Sequence, residues 1–180
     1  MCCRRTRGGW GALPLGVRQR LSLAVAVVLE VGRYLFPPMN RVLMRLLGRI
    51  AHPHESHRVN SSSWFILALF VLSFFDLVYG TVALAILGAA DPAAAVIGRR
   101  FGRRTLVHGR TVEGTLAFWA VGTVASAAAL WVWFDYPPDQ TLVMSATASA
   151  FAAVAELFSR RIDDNLAIPV AAAFGLWLVL

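Results

Sequence analysis

The sequence predicts an all-α fold: a polytopic integral membrane protein with about six transmembrane helices. Three observations predict it. Hydrophobic residues make up 58% of the 180, and mean hydropathy is +0.63, more apolar than the roughly half expected of a soluble domain. The apolar residues gather into runs of helical length, and about 20 residues cross the ~30 Å hydrocarbon core of a bilayer. Period-two alternation, the mark of a barrel strand, is absent, and lipid admits only helices or closed barrels.

Taken in order, residues 1–20 are basic, glycine-rich and unpatterned, and read as a disordered tail. No small-residue cleavage site follows Leu29, so the tail does not continue as a signal peptide. Residues 21–180 form a single helical membrane domain with six apolar stretches, at 21–36, 63–79, 81–97, 114–134, 141–159 and 166–180. Tyr79 and Gly80 make a bare turn between the second and third, "DYPPDQ" separates the fourth from the fifth, and the last is short for a full span. The loops leave no room for a separate soluble domain.

Charge divides the connections. Residues 37–62 carry Arg41, Arg45, Arg49 and Arg58, residues 98–111 carry five arginines, and residues 160–165 read "RRIDDN". Counting crossings puts these three segments on one face and the arginine-poor turns on the other, and positive charge marks the cytoplasmic side. The arginines at the N-terminus fall on the wrong face in this scheme: either they tolerate it or the chain lacks an upstream helix, and the second reading is favoured. The formal charge of +7 is juxtamembrane, which anionic lipid and topology explain without nucleic acid. The expected setting is a prokaryotic plasma membrane with the site facing the cytoplasm.

All 17 basic residues are arginine. Without a lysine, neither a Walker A loop nor a Schiff-base mechanism is available. Cys2 and Cys3 are adjacent, which suits neither a disulfide nor a metal set. "HPHESH" at 52–57 gathers three histidines but matches no zinc spacing, and suits loop polarity or phosphate contact better.

The chemistry lies on the arginine-rich face. Asp91 sits on the order of 10 Å inside a helix end at ~1.5 Å per residue, a costly place for a charge without a partner or a polar cavity. Asp91 followed by Pro92 is also the pattern of an N-cap and first helical position, so a fresh helix starting at Pro92 would make the third span a broken one. Glu113 opens the fourth span beside Gly114. Glu156 precedes Arg160 by one helical turn, the spacing of a surface pair, and Asp163, Asp164 and Asn165 have the composition of a helix cap. Singly each has a structural explanation. Together they bring carboxylates from separate segments to the face that gathers the arginines. Oxygen ligands hold Mg²⁺ and arginine grips phosphate oxygens in pairs, a combination suited to phosphoryl or nucleotidyl transfer.

"DPAAAVIGRRFGRR", "GRTVEGTLAF" and "AELFSRRIDDNLAIP" in that order, with "EVGRYLFPPMNRVL" and "HESHRVNSSSW" upstream, resemble the polyprenol-kinase-type family of dolichol, phytol and CTP-dependent diacylglycerol kinases. The likeness covers residues 27 to 170. It implies a polytopic enzyme that moves the terminal phosphate of a nucleotide, CTP in several members, to the hydroxyl of a membrane lipid alcohol. Asp91, Gly98 and Arg99 match the first motif, Glu113 and Gly114 the second, Asp164 and Asn165 the third. Arg110 and Thr111 stand where the family has lysine and serine, and arginine keeps the charge without the compact ammonium. The family's first span has no counterpart here. The mechanism this suggests has Asp91, Glu156 and Asp164 holding Mg²⁺, with Asp91 or Glu113 as the base. Gly98, Arg99, Arg100, Arg110, Thr111, Gly114 and Asn165 form the phosphate cradle.

Phosphatidate cytidylyltransferases share the first two motifs but add a Ser-Pro before the lysine and a distinct C-terminal signature, both missing here. A transporter would spread its polar residues through both halves of the bundle. An inactive relative lacking its first helix is the remaining alternative.

Overall fold

The computed structural model describes residues 61–159 and 163–180, together with Val17, Arg20, Leu21, Ala24, Val27 and Val28, which are helical. Most of the expected tail and of the 21–36 stretch, the histidine-bearing loop, and Arg160 and Arg161 lie outside the described residues. The chain divides between Phe74 and Phe75 into two compact units. In the first, α1 (Ser61–Leu72) is a helix of 12 residues, about 18 Å long at ~1.5 Å per residue and too short to cross ~30 Å. The Ser73 hydroxyl donates to the Phe70 carbonyl at 2.6 Å just beyond its end.

The second unit holds the other four helices among the described residues: α2 (Leu77–Phe101), α3 (Val112–Trp133), α4 (Pro138–Phe158) and α5 (Asp164–Trp177). α2 packs on α3, α3 on α4, α4 on α5 and α5 back on α2, closing a ring of helices. α2, α3 and α4 are long and apolar enough to span a bilayer. α5 has 14 residues, about 21 Å of helix. Three candidate spans, not six, are thus seen among the described residues.

Two boundaries differ from the sequence expectation. Tyr79 and Gly80 are not a turn: Val78 and Tyr79 are buried inside α2, and the interruption falls at residues 73–76, where Asp76 is extended (φ −62°, ψ 150°). A glycine costs a helix only about 1 kcal/mol, less than exposing two large buried side chains. Nor is the third span broken at Asp91, because α2 runs through Asp91 and Pro92 as one helix of 25 residues. Pro92 has no amide hydrogen for the Gly88 carbonyl, but Ala90 and Ala94 on either side are buried. In an apolar setting one lost backbone bond is cheaper than unwinding a packed helix, whose freed groups would find no water.

Close approach of α2 and α3 depends on small residues. A Cβ on Gly114 would lie 3.1 Å from the Ala94 carbonyl oxygen and 3.3 Å from Gly98 Cα. Ala94, Gly98 and Gly114 therefore let the two backbones touch. Farther along, a Cβ on Gly122 would come within 3.3 Å of Ala90 Cβ and 2.9 Å of Ser149 Oγ. The connection between the helices is a tight loop: Leu106 N–H donates to the Arg110 carbonyl at 2.6 Å and Arg110 N–H to Val107 at 3.2 Å. His108 and Gly109 turn the chain with positive φ, 58° and 78°.

At the opposite end α3 stops at Trp133, and Pro138 starts α4 in the first helical position, where its missing N–H costs nothing. Trp131, Trp133 and Trp177 are exposed at that end, as in the aromatic belt of a membrane interface.

Candidate active site

Four helix ends meet where the sequence collects its arginines. Gly102 closes α2, its N–H bonded to the Gly98 carbonyl at 3.1 Å. Thr111 caps α3, its hydroxyl accepting the Gly114 N–H at 3.1 Å. Asp163 caps α5 by accepting from the Asn165 N–H at 3.0 Å, and α4 contributes its last turn. Thr111 and Asp163 satisfy amides that a helix start leaves unpaired and Gly102 a carbonyl that a helix end leaves unpaired, and together they fix the backbone around one spot.

Arg110 is at that spot. Its Nη1 lies 2.8 Å from Glu156 Oε1 and its Nη2 donates to Asp164 Oδ2 at 2.8 Å. A planar guanidinium suits this role, since its fork directs separate N–H groups to separate acceptors. Glu156 is only 2% exposed, while Arg110 and Asp164 are about a third exposed, at 31% and 30%. Glu156 is therefore not on the surface, as its spacing in the sequence suggests: it faces inward and is neutralised from α3's threshold. One oxygen of each acid remains over, for Glu156 Oε2 and Asp164 Oδ1 are buried without a hydrogen-bond partner. Asp91, on α2, lies close enough for its charge to act on Glu156 and to feel Asp164 and Arg110.

Beside this group is a cavity of about 320 Å³, lined in part by Gly98, Arg99, Arg110, Thr111, Gly114 and Glu156. Six of the residues singled out by sequence thus share one wall. The others do not line it. Glu113 turns toward the loop, its Oε2 accepting weakly from Arg104 N–H at 3.5 Å. Arg100 is exposed with its guanidinium 5.5 Å from the Phe101 ring centre. Asn165 is engaged with Asp163, to which its side-chain amide donates at 2.7 Å. Asp91 and Asp164 stand by the cavity through their ties to Glu156 and Arg110.

Thr115 and Gly109 also line the cavity; both lie within "GRTVEGTLAF", which gave neither of them a role. Thr115 Oγ1 is buried and unpartnered, a spare donor on a residue of the cavity that Arg99 and Arg110 also line. Its position directly after the motif glycine was the available signal. With Arg110 in place, no three Asp, Glu, His or Cys side chains among the described residues are assembled as metal ligands.

No family model matches the chain, and no solved structure matches it. Three curated proteins do, each a "CTP-dependent diacylglycerol kinase 1". The protein from Saccharomyces cerevisiae is 29% identical over 118 residues, 64% of this chain and 39% of its own length. That from Eremothecium gossypii is 32% identical over 115 residues, 60% of this chain and 36% of its own length. That from Schizosaccharomyces pombe is 24% identical over 165 residues, 84% of this chain and 74% of its own length. The chain thus spans less than two fifths of the first two relatives. All three are fungal, so they lend nothing to the expectation of a prokaryotic plasma membrane. By sequence and by the order of its motifs, this chain is similar to CTP-dependent diacylglycerol kinases.

Proposed function

We propose that the chain is a CTP-dependent lipid kinase that transfers the terminal phosphate of CTP to the hydroxyl of diacylglycerol at the membrane surface. The observation that carries this reading is the Arg110 fork to Glu156 and Asp164 at the wall of a cavity lined by Arg99 and Gly98. Three motif segments distant in sequence contribute to one polar site at a shared end of apolar helices. The names of the three relatives supply the donor and the acceptor.

In this reading Arg99 and Arg110 bind the phosphate oxygens, with Thr115 Oγ1 as a neutral donor between them. The touching backbones at Gly98 and Gly114 leave that wall free of side chains. Asp91 accepts the proton of the lipid hydroxyl, which an amphipathic alcohol naturally presents at the interface. The acids fit a divalent cation, because Glu156 and Asp164 each keep a buried oxygen with no partner and Asp91 adds a third hard oxygen donor. Mg²⁺, when bound by them, supplies charge neutralisation between nucleotide phosphates.

The test is donor and acceptor selection by the purified chain in detergent. CTP and ATP, each labelled in the terminal phosphate, are offered with diacylglycerol, dolichol or phytol. Label from CTP entering diacylglycerol in preference to the polyprenols supports the proposal. Pyrophosphate release with a cytidine-linked lipid indicates nucleotidyl transfer in its place.

A further inference from the structure

The Arg110 fork has a second consequence, which rests on the reading of Asp91, Glu156 and Asp164 as cation ligands. Arg110 engages one oxygen of Glu156 and one of Asp164 at 2.8 Å each. The second oxygen of each acid is buried and unpartnered, and Glu156 is 2% exposed. Two carboxylates thus share a single guanidinium, with Asp91 near enough to feel both Asp164 and Arg110. The same arginine lines the 320 Å³ cavity together with Arg99. Its backbone is pinned on both sides, N–H to Val107 and carbonyl to Leu106, so only its side chain is free to change partners.

We propose that Arg110 is a positioning residue that holds the place of the divalent cation in the unliganded protein. It leaves Glu156 and Asp164 for the nucleotide phosphate when cation and nucleotide arrive together. Each ligand alone meets an obstacle. A cation drawn to the two free oxygens meets the like charge of the guanidinium seated on the other two, and a guanidinium driven off by it has no anion to go to. A nucleotide must win Arg110 from the acids, which are then left buried and unpaired, a costly state. With both present, every charge has a partner. The two ligands therefore bind cooperatively, and by linkage each raises the other's affinity by the same factor.

In this arrangement the arginine occupies a place between two of the ligands. A fork is needed for it. A lysine ammonium, one compact charge on a flexible stem, holds two separate carboxylates less well.

The test uses Mn²⁺ as a spectroscopic probe, titrated against the full chain in detergent and followed by electron paramagnetic resonance, with and without CTP. In the wild type, saturating CTP tightens Mn²⁺ binding by about tenfold or more, within the usual range of coupling between sites. In Arg110→Gln, Mn²⁺ alone binds about tenfold tighter than in the wild type, and CTP no longer changes it. Arg110→Lys falls between the two and decides the matter alone should Arg110→Gln not fold. Mn²⁺ binding that is lost in Asp164→Asn but equal in the wild type and the Arg110 variants overturns the place-holding role and leaves the cation site standing. Mn²⁺ binding that is absent throughout, or indifferent to Asp164→Asn, overturns both.

Discussion

Arg110 Nη1 lies 2.8 Å from Glu156 Oε1, tying the threshold of α3 to the last turn of α4. The acid is almost wholly buried and the base is not, so the pair stabilises mainly by preventing an unpaired buried charge. Removing one partner of a buried pair costs about 3–5 kcal/mol, and the solvent access of Arg110 moves the expectation to the low end. Glu156→Leu, which removes the charge and fills the space, is predicted to melt close to the wild type. Arg110→Leu, which strands Glu156, is predicted to melt well below it. Thermal unfolding in detergent checks the order, and equal losses in the two variants would contradict this account of the pair.

The glycines of the motifs give a graded prediction. At Gly114 a methyl group meets the Ala94 carbonyl at 3.1 Å and Gly98 Cα at 3.3 Å, both backbone atoms that do not yield. At Gly98 its tightest contact is the Thr111 hydroxyl at 3.0 Å, and at Gly88 nothing lies within 4 Å. Gly114→Ala is predicted to cost about 1–3 kcal/mol, as overpacking does, and to reduce CTP binding by distorting the cavity wall. Gly98→Ala costs less, and Gly88→Ala gains about 0.5–1 kcal/mol from helix propensity. Melting temperatures of the three variants, measured side by side, test this ranking.

Much of this site could be read from residue types. Gly98, Arg99, Arg110 and Gly114 come together in one cavity wall, because their segments form helix ends and the alternation of crossings puts those ends on one face. Local signals misled where packing outweighed them. Asp91-Pro92 has the form of a helix start, yet buried Ala90 and Ala94 hold α2 continuous through it. Tyr79-Gly80 has the form of a turn, yet Tyr79 is buried and the interruption falls at residues 73–76. Glu156 has an arginine one turn ahead in the sequence, and nothing local says that it pairs with Arg110 of the loop before α3. Thr115 lies inside a motif that assigns it no role, and the tertiary structure puts it in the cavity wall.

Thr115 separates a binding role from a structural one. Its hydroxyl is buried without a partner, and replacing such a group with an apolar isostere relieves an unmet hydrogen bond. Thr115→Val is predicted to melt at or above the wild-type temperature and yet to bind CTP about tenfold more weakly, as expected for one lost hydrogen bond to a charged phosphate. Equilibrium binding of labelled CTP checks it. Unchanged affinity would remove Thr115 from the cradle.

The most direct measurement is the transfer of terminal-phosphate label from CTP to diacylglycerol by the purified chain, with the Asp91→Asn variant run in parallel. The account predicts labelled phosphatidate from the wild type in the presence of Mg²⁺. It predicts a loss of at least about 10²-fold in the variant, the scale of a missing general base, with the helical content of the two proteins the same. Undiminished phosphatidate formation by Asp91→Asn would contradict it.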